Sequence, residues 1–126
     1  MSKQLIHTPS APAPVGAYSQ AIKHDRTIYI SGQIPLNPET GRLENNTFED
    51  QVLQVLRNVN AVITEAGGSM NSIVKATIFI TQMDNFSIVN SVYTSFFQAP
   101  FPARAVVEVS ALPMGVDVEM DAIAIL

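Results

Sequence analysis

The stretch from Thr47 to Gly68 does most to limit what this chain can fold into. Phe48, Val52, Val55, Leu56, Val59, Val62, Ile63 and Ala66 recur at helical spacing and form one apolar stripe. Thr47 can cap the helix, with Asp50 three residues on and Glu49 at the end where the dipole favours acids. Gly67-Gly68 stops it. The next segment, Ile73 to Thr81, is nearly continuous in apolar and β-branched residues and predicts a buried strand. Asp84 then offers a cap for a second helix over 85–98, with Phe86, Val89, Tyr93, Phe96 and Phe97 as its stripe and Pro100 as its stop.

The flanking segments supply the remaining strands. Pro9, Pro12 and Pro14 lack backbone N–H donors, so residues 8–16 predict an extended arm and not a central strand. Two β-prone runs, 17–23 and 27–32, surround the polar break His24-Asp25-Arg26 and read as a hairpin. Residues 35–46 read as a loop, and 104–110 and 117–125 as strands. The resulting order, ββαβαββ, implies an α+β fold: one domain over residues 1–126, with two helices on one face of a single sheet. The other sheet face then needs cover. Only 14% of the residues are charged, against about 25% in a typical domain. Both points predict an oligomer.

The charge balance also bears on partners. Net charge is −4, and the seven Lys and Arg are scattered from Lys3 to Arg104, which argues against nucleic acid as a ligand. There is no cysteine, so thiolate catalysis and Cys-bound metals are excluded. No apolar run approaches the ~18 residues of a membrane span. The polar N-terminus does not resemble a signal peptide, and a cytoplasmic location is expected.

Two charged residues in apolar surroundings stand out. Arg104 follows Ala99-Pro100-Phe101-Pro102 and opens a strand; Glu119 lies within the last one. A guanidinium can grip a carboxylate with two parallel hydrogen bonds, and a nearby carboxylate can move protons. If the last two strands pair around a centre near residue 111 or 112, Arg104 comes close to Glu119. An ordinary ion pair at a sheet edge fits the same pattern. Strand alternation puts Asp117, Glu119 and Asp121 on one side, either as a solvated acidic face or as neighbours that raise the proton affinity of Glu119. His7 and His24 lack metal-ligand spacing. Lys75, inside the buried-looking strand, fits a side chain reaching to an edge better than a Schiff-base lysine. Ser31-Gly32 is either a strand end or a place where backbone groups meet a ligand.

The segments Pro102-Ala103-Arg104-Ala105-Val106-Val107-Glu108-Val109, Leu112-Pro113 and Val118-Glu119-Met120 resemble the C-terminal signature of the Rid family, the reactive intermediate deaminases, also called the YjgF family. Gly16-Ala17-Tyr18-Ser19-Gln20-Ala21, Ser31-Gly32-Gln33-Ile34-Pro35, Val74-Lys75-Ala76-Thr77 and Val89-Asn90-Ser91-Val92-Tyr93 resemble its other blocks, in order, through almost the whole chain. The resemblance implies a chorismate-mutase-like fold, with three subunits closing their sheets into a central barrel and active sites between subunits. It implies hydrolysis of 2-imino acids such as 2-iminopropanoate and 2-iminobutanoate to 2-keto acids and ammonia, without metal or cofactor, protecting pyridoxal-phosphate enzymes. By it, Arg104 holds the substrate carboxylate, Glu119 positions or activates water, and Ser31 and Gly32 line the pocket. Tyr18 and Asn90 match pocket positions contributed across the subunit boundary. Two positions depart from the family pattern: Val106 stands where many relatives have Cys, and Ala17 where Pro is usual. A metabolite-binding, regulatory or chaperone-like protein and an endoribonuclease are the alternatives the resemblance leaves open.

Overall fold

In a computed structural model of the chain, residues 2–44 and 47–126 are described. The helix expected after Thr47 is α1, Phe48–Glu65. The Thr47 side chain accepts from the Asp50 N–H at 3.1 Å. Its stripe, Val52, Val55, Leu56, Val59, Val62 and Ile63, is fully buried. The expected order ββαβαββ is present, preceded by one further strand: β1 (Gln4–Ile6), β2 (Ala21–His24), β3 (Thr27–Gln33), α1, β4 (Ile73–Ile80), α2 (Phe86–Tyr93), β5 (Ala103–Glu108) and β6 (Val118–Ile125). The loop expected over 35–46 carries one isolated bridge, Leu36 to Leu43; its positions 45 and 46 lie outside the described residues.

The six strands form one sheet in the order β1-β2-β3-β6-β4-β5. Neighbours are antiparallel except β4 and β5, which run parallel and are joined through α2. Such a crossover needs a helix to carry the chain back along the sheet. Both helices pack on one face. Ile28 and Ile30, Ile78 and Ile80, and Val118, Met120, Ala122 and Ala124 alternate toward them and join one core.

The pairing of 104–110 with 117–125 is corrected. β4 lies between β5 and β6, so Arg104 pairs with Ala76 and Glu119 with Phe79. The second helix is also shorter than expected. A 3₁₀ turn at Met83–Asn85 precedes α2, Asn85 is the cap position, and no side chain caps it. Asp84 lies inside that turn, and α2 ends at Tyr93 in a series of turns.

The face away from the helices carries Leu5, Tyr29, Ile125 and Val107, which are 65%, 51%, 43% and 40% exposed. Large apolar groups gathered on one exposed face mark a surface suited to contact with another molecule.

Candidate functional site

The helix and sheet divide the expected site residues into two groups. Arg104 is the second residue of the edge strand β5 and shares the helix side with its partner Ala76, which is buried. There α2 supplies a platform. Arg104 Nη2 donates to Asn90 Oδ1 at 2.8 Å. The guanidinium carbon lies 4.9 Å from the Tyr93 ring centre and 5.7 Å from that of Phe86. Phe86, Asn90 and Tyr93 are spaced four and three residues apart, so they share one helix face. Tyr93 is in turn stacked on Phe97, with centroids 4.3 Å apart. The guanidinium is thus held by an amide and two rings, and no carboxylate among the described residues pairs with it within 4 Å. A cleft of about 250 Å³ opens beside it, lined by Asn90, Tyr93, Thr94, Phe101, Pro102 and Arg104. The Tyr93 hydroxyl is buried without a hydrogen-bond partner among the described residues. Burial pushes its phenol up, and the Arg104 charge pulls it partly back.

Glu119 is on the opposite face. Val118 and Met120 on either side of it point into the core, so alternation turns Glu119 toward the open face. β3 makes room for it. Ile30 pairs with Ala122 and Gln33 with Met120, so two residues, Ser31 and Gly32, stand against one, Asp121. This is a β-bulge, a common device for re-aiming groups beside a site. The Ser31 hydroxyl donates to the Ser19 carbonyl at 2.6 Å, and its N–H to the Gln20 carbonyl at 2.9 Å. A Cβ on Gly32 would lie 2.0 Å from Glu119 Oε2 and 2.9 Å from its Cδ. Only glycine leaves the carboxylate this place. A cleft of about 280 Å³ is lined by Val15, Tyr18, Ser31, Gly32, Ile34, Pro113 and Glu119. The Tyr18 phenol accepts from the Val15 N–H at 3.3 Å, which folds the ring back over the arm. Burial pushes the Glu119 carboxyl above its ordinary value, and the Asp121 charge adds to the rise.

Tyr18, Ser31, Gly32 and Glu119 therefore meet in one cleft, and Asn90 and Arg104 in another. The two clefts share no lining residue. A strand separates β5 from β6, and the two side chains leave the sheet on opposite faces. The edge ion pair expected from pattern is absent: no oxygen of Glu119 comes within 4 Å of Arg104. Asp117 lies just outside β6, with its carboxylate engaged elsewhere. It accepts from Gln51 at 3.3 Å and from Thr81 at 3.0 Å. Lys75 is on the open face, not buried.

Sequence reasoning missed the ring platform under Arg104. Their spacing puts Phe86 and Tyr93 in the apolar stripe of a helix, and nothing local says that an edge strand will lay an arginine over them. It also missed the role of Gln20. Its buried amide accepts from the Thr8 N–H at 2.7 Å and donates to the carbonyls of Thr8, Ala11 and Pro12, pinning the arm that leads to Tyr18.

Residues 8–126 match the family profile described as Endoribonuclease L-PSP. The chain is 43% identical over 123 residues to the 2-iminobutanoate/2-iminopropanoate deaminase of Mus musculus, covering 98% of this chain and 91% of that one. Among solved structures it superimposes on RidA from the Antarctic bacterium Psychrobacter sp. with a TM-score of 0.95 and 44% identity, covering 98% and 99% of the two chains. E. coli TdcF with bound serine gives a TM-score of 0.94 and 39% identity, over 98% of each chain.

Proposed function

The chain belongs to the Endoribonuclease L-PSP family, the YjgF/Rid family, and on that premise we propose that it hydrolyses 2-imino acids to 2-keto acids and ammonia. The observation that carries this reading is the Arg104 guanidinium, steadied by Asn90 and Tyr93 at the mouth of an apolar cleft with no acid among the described residues to neutralise it. Such a group is prepared for the carboxylate of a small acid. The relatives named as deaminases of 2-imino acids and the neighbour holding serine, itself a small amino acid, agree with that ligand chemistry.

The separation of the two clefts supports a site completed between copies of the chain. Arg104 and Asn90 come from one copy, and Tyr18, Ser31, Gly32 and Glu119 from the next. The apolar open face supports a homotrimer in which the sheets enclose a barrel. Arg104 orients the substrate carboxylate and offsets its charge. Glu119 takes a proton from water as the oxygen bonds to C2 of the protonated imine and the C=N π pair passes to nitrogen. The carbinolamine so formed carries hydroxyl and amino groups on C2. Transfer of a proton to nitrogen lets the C–N bond break, and its electron pair leaves with ammonia. The hydroxyl proton is lost as the C2=O bond forms. The imine carbon is electrophilic from the outset, so these groups suffice without a thiol, and Val106 stands where many relatives have one.

The test is release of keto acid and ammonia from iminopropanoate generated in situ by a dehydratase. Arg104→Ala is expected to reduce the rate to the spontaneous level with the assembly intact, and Glu119→Gln to lose most of it. A full rate in Arg104→Ala would remove the reading. Binding of small amino acids without turnover, which the serine-bound neighbour also favours, would show as calorimetric affinity with no ammonia released. The family's ribonuclease description finds less support here, because a chain of net charge −4 with scattered cations offers no track for a phosphate backbone.

A further inference from the structure

Most of the open sheet face is apolar, yet Lys75, Asp121 and Glu119 sit together on it from two adjacent strands. Glu119 and Asp121 are one pleat apart on β6, about 6.7 Å between Cα atoms in extended chain. On the β4 side, Phe79 stands opposite Glu119, Thr77 opposite Asp121 and Lys75 opposite Ile123. On the β3 side, the Ser31–Gly32 bulge stands against Asp121 while Gly32 receives the Glu119 carboxylate. Both acids therefore border the same bulge, with different company.

We propose that Asp121 is a positioning residue for Glu119: one pleat away on the same face of β6 and bordering the same bulge, it sets a second carboxylate beside Glu119 and so governs when that carboxyl carries its proton. This rests on Glu119 as the proton mover. The titratable groups facing this pair are Lys75 from β4, Tyr18 from the arm and Tyr29 from β3; in the trimer, Arg104 of a neighbouring copy would join them. Burial pushes both carboxyls up. For Asp121, Lys75 and the hydrogen bonds from the Thr77 backbone and hydroxyl act against that rise. Lys75 acts through space, since His24–Asp25, at 3.6 Å, is the one close ion pair among the described residues. For Glu119 the Asp121 charge adds to the rise. Asp117 takes no part, because Gln51 and Thr81 occupy its carboxylate.

The experiment is an NMR titration of the assembled protein carrying glutamate labelled with ¹³C at Cδ, the Glu119 signal being identified by its loss in Glu119→Gln. In Asp121→Asn the Glu119 midpoint is expected to move to lower pH, and in Asp121→Glu, which keeps the charge, to stay near the wild-type value. Ammonia release should follow. At a pH one unit below the wild-type midpoint, Asp121→Asn should keep on the order of two- to fivefold more of its plateau rate than wild type does. A purely structural role for Asp121 would lower the plateau without moving the midpoint. An unmoved Glu119 midpoint in Asp121→Asn, or an Asp121→Glu that behaves like it, overturns the proposal. Should Asp121→Asn fail to assemble, Asp121→Ser removes the same charge and is read the same way. A moved midpoint together with full ammonia release by Glu119→Gln would support the link between the two carboxyls and reject Glu119 as the proton mover, so the two failures are distinguishable.

Discussion

At the residue scale, the Gly32–Glu119 contact makes the sharpest demand on the sequence. A methyl group at position 32 would overlap the carboxylate, so Glu119 would have to turn out of its cleft or the bulge would have to open. Gly32→Ala is expected to change the unfolding free energy by less than about 1 kcal/mol, because the overlapping carboxylate is the free end of a half-buried side chain that can turn aside, and to lower imine hydrolysis at least as much as Glu119→Gln does. Denaturant unfolding and the ammonia assay check the two halves of that expectation, and an unchanged rate would mean that the carboxylate need not occupy this place. Tyr18, Ser31, Gly32, Asn90, Arg104 and Glu119 stand out in the sequence because they fall in family blocks. Their partners do not. Tyr93 had been read as core from its spacing, and its burial agrees. Its service to Arg104 arises only when an edge strand passes over α2.

At the element scale, α1, β2 through β4 and the last two strands were legible because period and caps are local signals. Strand adjacency was not. The loop between β5 and β6 is short enough for a hairpin, but β4, brought in by the parallel crossover, takes the position between them. Long-range pairing of that kind leaves no mark on the residues of either strand alone. The strand Gln4–Ile6 was missed for a related reason: three residues hold too little pattern, and it exists because β2 offers an edge. The arm after it depends on Gln20, whose single amide makes four hydrogen bonds to backbone. Gln20→Ala would leave those buried groups unpaired, at a cost of about 1–3 kcal/mol. Amide hydrogen exchange at Thr8 should accelerate in that variant, with α1 protected as before. Unchanged exchange at Thr8 would show that the arm is held by other contacts.

At the scale of the whole molecule, the proposed assembly rests on the open apolar face. Replacing Ile123, which points to that face, by Glu should leave a folded but smaller species, because a charge would be buried wherever copies meet there. Mass photometry and circular dichroism would report the two outcomes, and an unchanged mass would show that copies do not meet at this position. The partition of Arg104 and Glu119 between opposite faces has a genetic consequence. In the proposed assembly each copy would lend its arginine to one neighbour and its glutamate to the other, so two inactivating alleles can complement each other. Arg104→Ala and Glu119→Gln subunits, each inactive alone, would form sound sites wherever the intact arginine of one meets the intact glutamate of the other. Random co-assembly of equal amounts should recover about a quarter of the wild-type rate.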